Sequence, residues 1–214
     1  MIVPNHPYAI QKRLSMQGCN GLRVNDSGEL LIPMFRGERL VSLQRILPDG
    51  TKKFATGCPA KLATFTIDRP KSVITILVEG FATGATVAEA VPSSKVVVCF
   101  SASNLAAVAE HGDWKGAVVI AGDNDATTKE IHGTNPGEEA AKKAALAIGC
   151  GYAIPTSNES MDWNDLFVMR LEKLEADEAE KPWPSAPHKL RALALAPIRA
   201  EILKNLRRTE EKRF

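Results

Sequence analysis

Six residues from Val73 to Val78 are apolar or β-branched almost throughout, and the run stops at Glu79-Gly80. A second run, Ala117 to Ala121, stops after Gly122 at Asp123-Asn124-Asp125. Two further short runs, 95–100 and 152–154, follow the same pattern. Helix-forming stretches separate them: Ala82 to Val91, a segment capped by Ser101 or Ser103 that ends near His111-Gly112, and 137–148 with Pro136 near its first turn. Strands apolar on both faces and divided by helices predict a parallel sheet covered on both sides. If 73–78 and 117–121 run parallel, Glu79, Asp123 and Asp125 emerge at the carboxyl edge, where open α/β sheets bind ligands.

Before Ser72 the pattern differs. A short helix is expected to open after Pro7 and to stop by Gly18 and Gly21. Residues 29–34, 40–46 and 52–54 read as strands, punctuated by turns at 26–28, 36–38 and 48–50. This is an antiparallel meander, with Leu40, Ser42 and Gln44 on one face and Val41, Leu43 and Arg45 on the other. Beyond the last strand, Met161-Asp162-Trp163-Asn164-Asp165-Leu166 leads into a charged helix that ends near Glu180. The prolines of 181–187 predict a stiff linker. The tail from His188 is helical again, apolar at Leu190, Leu193, Leu195, Ile198, Ile202, Leu203 and Leu206, and Pro197 is expected to break or kink it.

Composition narrows the class. A chain of 214 residues with 44% hydrophobic and 24% charged residues can bury a substantial core. No apolar leader or run of about 18 apolar residues occurs, so the expected location is the cytoplasm, with no membrane contact. Four scattered cysteines without a CxxC pair argue for no zinc in this chain and suit a reducing compartment. Cys99 and Cys150 adjoin apolar strands and read as small core residues. The net charge of +2 conceals an asymmetry, because residues 188–214 carry eight Lys/Arg against three Glu. That tail either binds single-stranded nucleic acid by charge or is a helix whose leucines are packed or bind a partner such as a replicative helicase; the helical spacing favours the second.

The acidic clusters each have a plain reading beside a chemical one. Asp123-Asn124-Asp125 could be a simple turn. An EF-hand is excluded, since Thr128 and Thr134 occupy its glycine and closing-glutamate positions. A haloacid-dehalogenase-type phosphatase also uses Asp-x-Asp after a strand, but here only one strand follows. Glu79 could be a helix acid meeting the dipole, yet an acid following so apolar a run is better explained by a cation or substrate at the sheet edge. Asp162 could be a helix cap with Asp165 in its first turn. Three carboxylates on one edge call for a divalent ion, with Mg²⁺ the expected one. No Walker motif, GxGxxG or HExxH occurs.

Taken together, Val78-Glu79-Gly80-Phe81-Ala82-Thr83-Gly84, Ala121-Gly122-Asp123-Asn124-Asp125, Gly133-Thr134-Asn135-Pro136-Gly137 and Asp162-Trp163-Asn164-Asp165 resemble the Toprim domain of bacterial-type DNA primases, in particular the plasmid and phage branch. The segments His6-Pro7-Tyr8, Gly21 to Val24, Leu31 to Met34 and Ser42 to Phe54 are similar to what precedes Toprim in those proteins. The resemblance covers about 6–167 and implies an α/β fold: a Toprim-like parallel sheet flanked by helices, preceded by a small antiparallel α+β segment and followed by a helical tail. Its expected divisions are a partial primase N-terminal subdomain (1–70), the Toprim domain (71–167) and a basic helical tail (168–214).

The resemblance further implies metal-dependent nucleotidyl transfer on single-stranded DNA with NTPs, using Mg²⁺ or Mn²⁺. A metal-dependent nuclease and a non-catalytic DNA- or helicase-binding accessory are the alternatives. Glu79 would be catalytic as well as a metal ligand, with Asp123, Asp125, Asp162 and Asp165 completing the metal set. Arg45, Lys52, Lys53 and Asn164 would contact nucleotide or nucleic acid. A replicative helicase and a separate zinc-binding domain are the implied partners. One departure stands out: cellular primases usually carry Asp four residues after the Glu, where this chain has Thr83.

Overall fold

The computed structural model describes residues 3–182 and 185–208. The amino-terminal part consists of α1 (Pro7–Gln11), β1 (Arg23–Val24), β2 (Leu30–Arg36), β3 (Arg39–Ile46), β4 (Lys52–Phe54) and β5 (Phe65–Ile67). The α/β part follows as β6 (Ile74–Val78), α2 (Phe81–Ala90), β7 (Ser94–Val98), α3 (Ala102–His111), β8 (Ala117–Ala121), α4 (Ala126–His132), α5 (Pro136–Ile148) and β9 (Gly151–Ala153). Helices α6 (Trp163–Ala179) and α7 (Pro187–Lys204) and strand β10 (Arg207–Arg208) complete it.

Strand β6 is central. It pairs in parallel with β7 on one side and β8 on the other, so that Val78 lies level with Val98 and Ala121. Strand β9 continues the parallel order beside β8. Because β6 occupies one whole edge of β8, β9 and the antiparallel β10 share the other. Antiparallel β5 closes the far edge on β7. Side chains alternate between two cores, as the period of two requires. Ile76, Val78, Val96, Val98, Val119 and Ala121 face α2, α6, α7 and the amino-terminal sheet. Leu77, Val97, Val118 and Ile120 face α3 and α5. Cys99 lies in the second core and Cys150 packs against it.

The meander is a separate antiparallel sheet, β1-β2-β3-β4, tied to the main sheet through the Phe35–Thr64 bridge. The predicted alternation in β3 is present, and its polar side is the inward one. Ser42, Gln44 and Ile46 are buried together with Leu30, Ile32 and Met34.

Several elements depart from the pattern. Ala63, Phe65 and Ile67 are buried and alternate with Thr64 and Thr66, which makes β5 a strand too short to stand out. Helix α4 replaces an expected loop, with no buried residue of its own and a left-handed Gly133 ending it. Helix α7 runs unbroken through Pro197, whose missing N–H costs one helical bond. Buried Leu190, Ala194, Leu195, Ile198 and Ile202 on both sides of the proline outweigh that loss. The linker residues Trp183 and Pro184, and the end of the basic tail from Thr209 to Phe214, lie outside the described residues.

The tail helix docks by charge as well as by leucines. Arg191 forms a two-pronged ion pair with Glu89 of α2 and donates to the Arg13 carbonyl at 2.7 Å. Its guanidinium also stacks 4.8 Å from the centre of the Phe167 ring of α6. No described helix is long and apolar enough to cross a membrane.

Helix α2 comes close to the sheet only because Gly84 has no side chain. A Cβ there would sit 2.6 Å from Val98 Cγ2 and 3.2 Å from Val78 Cγ2. Gly84→Val should therefore lower the unfolding free energy by about 2–3 kcal/mol through overpacking, read from urea denaturation; an unchanged midpoint would mean that α2 can move off the sheet freely.

Candidate active site at the carboxyl edge of the sheet

Glu79 directly follows β6, and the chain enters α2 through Gly80. Gly80 has φ −97° and ψ 155°, an extended conformation open to any residue. A Cβ there would meet only Thr83 Oγ1, at 3.8 Å. The glycine is therefore not required by the backbone of the turn into α2; what it leaves is open space beside Glu79.

The Asp123-Asn124-Asp125 loop follows β8 and is held by backbone and amide bonds. Gly122 N–H donates to the Ala153 carbonyl, and Asn124 exchanges both backbone bonds with Met161 at 3.0 and 2.7 Å. The Asn124 side chain donates to the carbonyls of Pro155 and Ser157 and accepts from Asn135 Nδ2 at 2.8 Å. Asn135 Oδ1 in turn accepts the N–H groups of Asp125 and Glu138. Gly137 N–H donates to Asp125 Oδ2 at 2.8 Å, and a Cβ on Gly137 would come within 2.5 Å of the Asp123 carbonyl oxygen. The middle residue of the acidic triplet is thus a buried scaffold, while Asn135 and Gly137 set the loop from α5. Their sequence signature, Asn-Pro-Gly before an Ala-rich helix, reads as a helix start and as part of the Toprim resemblance, but not as the support of the acidic loop.

The Asn124–Met161 bridge also brings Asp162 to the edge. Asp162 caps α6 by accepting Asp165 N–H at 2.7 Å, and Asp165 Oδ2 accepts the Asp162 N–H at 3.4 Å to complete a capping box. Asp165 is then committed elsewhere, with its Oδ1 2.7 Å from Lys12 Nζ. Asn164 is wholly buried and donates to the Lys12 carbonyl and Thr86 Oγ1, bracing α6 against α1 and α2. Of the sequence candidates, the fold brings Glu79, Asp123, Asp125 and Asp162 together and turns Asp165 and Asn164 to structural bonds.

The basic candidates also separate. Lys53 lies opposite Arg45 across β3 and β4, on the side of the meander that carries Val41 and Leu43. Arg45 pairs with Glu29 at 3.4 Å. Lys52, opposite Ile46, is on the inward side, 5.9 Å from the centre of the Tyr8 ring. Its charge draws down the pKa values of both Glu79 and Asp123, so Lys52 is the member of this group that reaches the acids.

Burial first, and then the neighbouring Asp162, Glu79 and Asp125, push the Asp123 carboxyl well above its usual range. Glu79 is raised by burial and by Asp125 and Asp162, against an opposing hydrogen bond from the Ala102 N–H. Asp162 is raised by burial and by Asp165, with its capping bonds and Lys12 opposing. Thr83, fully buried, donates from Oγ1 to Asp123 Oδ1 at 3.5 Å, so a neutral donor stands where a further acid would add repulsion. Among the described residues, no group of three or more His, Cys, Asp or Glu side chains is placed to hold a metal ion together. The acids instead make an open array of hard oxygen donors. Such a set fits Mg²⁺, which commonly takes one or two carboxylates and completes its shell with water and substrate phosphates.

Groups whose folded pKa is raised contribute stability below their ordinary pKa, and that contribution is lost as pH rises through the raised value. In chelator-treated protein the Asp123→Asn variant should melt higher than wild type, by a few degrees, with the gap widening from about pH 4.5 to pH 8. Scanning calorimetry across that range checks it, and a constant gap would show that Asp123 repulsion is absent.

Residues 74–173 match the family described as Toprim domain. Two Escherichia coli proteins, each named DNA primase TraC, are 38% identical over 155 residues and 34% identical over 152 residues. Each match takes in 67% of this chain but only 10% and 14% of those proteins, so the chain spans a small part of their length. The primase fragment of the bacteriophage T7 primase-helicase protein shares the fold at a TM-score of 0.51 with 14% identity, over 84% of this chain and 74% of that one. Glu79, Asp123, Asp125 and Asp162 all lie within the residues that match the Toprim domain.

Proposed function

We propose that the chain is a primase unit, joining nucleotides on a single-stranded DNA template in a reaction that needs Mg²⁺ or Mn²⁺. The observation that carries this reading is the gathering of Glu79, Asp123, Asp125 and Asp162 at one sheet edge, in a domain similar to those of DNA primases. Glu79, Asp123 and Asp125 would hold the metal ion, with Asp162 beside them at the outer part of the array. When bound, the ion supplies charge for activating a 3′-hydroxyl and for stabilising the departing pyrophosphate.

The chain's own groups then have separate tasks. The raised affinity of Glu79 for a proton suits it to take one from the attacking hydroxyl. Thr83 holds Asp123 in orientation. Lys52 places a positive charge where phosphate oxygens would lie, while Arg45 and Lys53 offer charge on the outer meander face for the template backbone. The proposed division has residues 1–70 as a partial N-terminal primase subdomain, 71–167 as the Toprim domain and 168–214 as a basic helical tail. A helicase and a zinc-binding domain supplied separately are the proposed partners, and the cytoplasm the proposed site of action.

Purified protein, supplied with single-stranded template, NTPs and Mg²⁺, should make short RNA primers. Asp123→Asn should reduce the yield at least 100-fold, a loss of about 3 kcal/mol in transition-state stabilisation. Metal-dependent cleavage of the template without primer formation would replace this reading with a nuclease. Lys52→Ala should raise the KM for NTP about tenfold with a smaller effect on kcat, as expected for a phosphate contact made in the ground state. Steady-state kinetics with varied NTP would decide this, and an unchanged KM would remove Lys52 from the phosphate path.

A further inference from the structure

Next to Glu79, on the β7 side, lies a cavity of about 310 Å³ that none of the acidic groups lines. Its walls include Phe54 of β4, Phe100, Lys61 and the amino-terminal turn of α3 with Ser101, Ser103 and Asn104. Phe54 and Phe100 meet at right angles, with ring centres 6.4 Å apart and planes at 82°. Phe54 is 43% exposed, a large apolar side chain on a three-residue edge strand.

The second ring is held there at a cost. Phe100 has φ +71°, in the left-handed region that a bulky residue rarely enters. Such strain persists where the surrounding structure over-determines it, and it clusters at functional sites. The surroundings here are specific. Phe100 N–H donates to the Glu79 carbonyl at 2.7 Å, and Asn104 spends its amide on Leu62 N–H, the Ala63 carbonyl and the Cys99 carbonyl. Asn104 therefore pins the loop that carries Lys61 to the start of α3. The pocket and the acidic site also share a wall, since the Ala102 N–H bonds the Glu79 carboxylate.

An aromatic corner directly beside an acidic, phosphate-handling edge has the chemistry of a base site. We propose that the cavity lined by Phe54 and Phe100 receives the nucleobase of the nucleotide whose phosphates lie at Glu79 and Asp123. The base stacks on one ring and meets the edge of the other, with the Ser101 and Ser103 hydroxyls and the Lys61 ammonium available to its polar rim. Two hydroxyls that each donate and accept do not select one base strongly, so the pocket accepts purines and pyrimidines alike. The inference rests on the phosphoryl-transfer reading of the acidic edge.

The test compares Mg²⁺–ATP with Mg²⁺–tripolyphosphate by isothermal titration, using wild type, Phe54→Ala and Phe100→Gly. Phe54→Ala removes a partly exposed ring; Phe100 is buried in the core, so Phe100→Gly loses packing while it relieves the left-handed strain, and its retained tripolyphosphate binding is the control that it is still folded. Each variant should weaken ATP binding about tenfold or more while leaving tripolyphosphate unchanged. Equal ATP affinity in wild type and both variants overturns the pocket while the acidic site stands. Loss of affinity for a single-stranded oligonucleotide with none for ATP overturns it in favour of a template base. A wild type that binds neither triphosphate overturns the phosphoryl-transfer reading and the pocket with it.

Discussion

The constraint on which this structure turns is the placing of four carboxylates within reach of one another's charge at the end of a buried sheet. Glu79 and Asp123 follow adjacent parallel strands, and their mutual repulsion is raised by removal from water. Nothing in the strands themselves favours that arrangement. It is held by neutral groups behind the acids: the Asn124–Met161 backbone pair, the Asn124–Asn135 amide bond and the Gly137 N–H on Asp125. Each of these satisfies a polar group that burial would otherwise penalise, so the scaffold is favourable where the acids are not.

Around this edge the rest of the chain acts as a frame. Helix α2 lies tightly on the sheet through Gly84 and positions Thr83 against Asp123. Helix α6 begins at Asp162 and is braced by Asn164 and by the Lys12–Asp165 pair, which joins it to the amino-terminal helix. The tail helix locks onto α2 through Glu89 and Arg191, and so backs the same helix from the far side. The amino-terminal sheet turns Lys52 and Phe54 toward the site and leaves Arg45 and Lys53 outside. Charge of opposite sign thus reaches the acids from an element remote in sequence, and it tempers their repulsion without cancelling it.

Thr83 stands where an Asp was the expected residue, and the four acids still gather around it. A hydroxyl donor bonds the carboxylate that an acid at this position would repel. The array carries one negative charge fewer, and an ion held there would depend correspondingly more on water and substrate oxygens.

The parallel sheet, its helices and the acid-bearing strand ends were legible in the sequence, because uninterrupted β-branched runs bounded by Glu-Gly and Gly-Asp have few other uses. The α6 cap was legible for the same reason, since Asp-x-x-Asp before a helical run satisfies its own backbone. Strands β5 and β10 were not, because two or three residues carry no periodicity and exist only through pairing with β7 and β8. Helix α7 passed Pro197 because burial on either side exceeds one lost hydrogen bond, a balance that local propensity does not contain. The sequence by itself determined which residues carry charge and which strands deliver it. Only the tertiary structure decided that Asp162 joins the array while Asp165 goes to Lys12, and that Lys52 rather than Arg45 faces it. Such choices depend on distances across the fold, and Coulomb energy and desolvation follow distance and burial, not order along the chain.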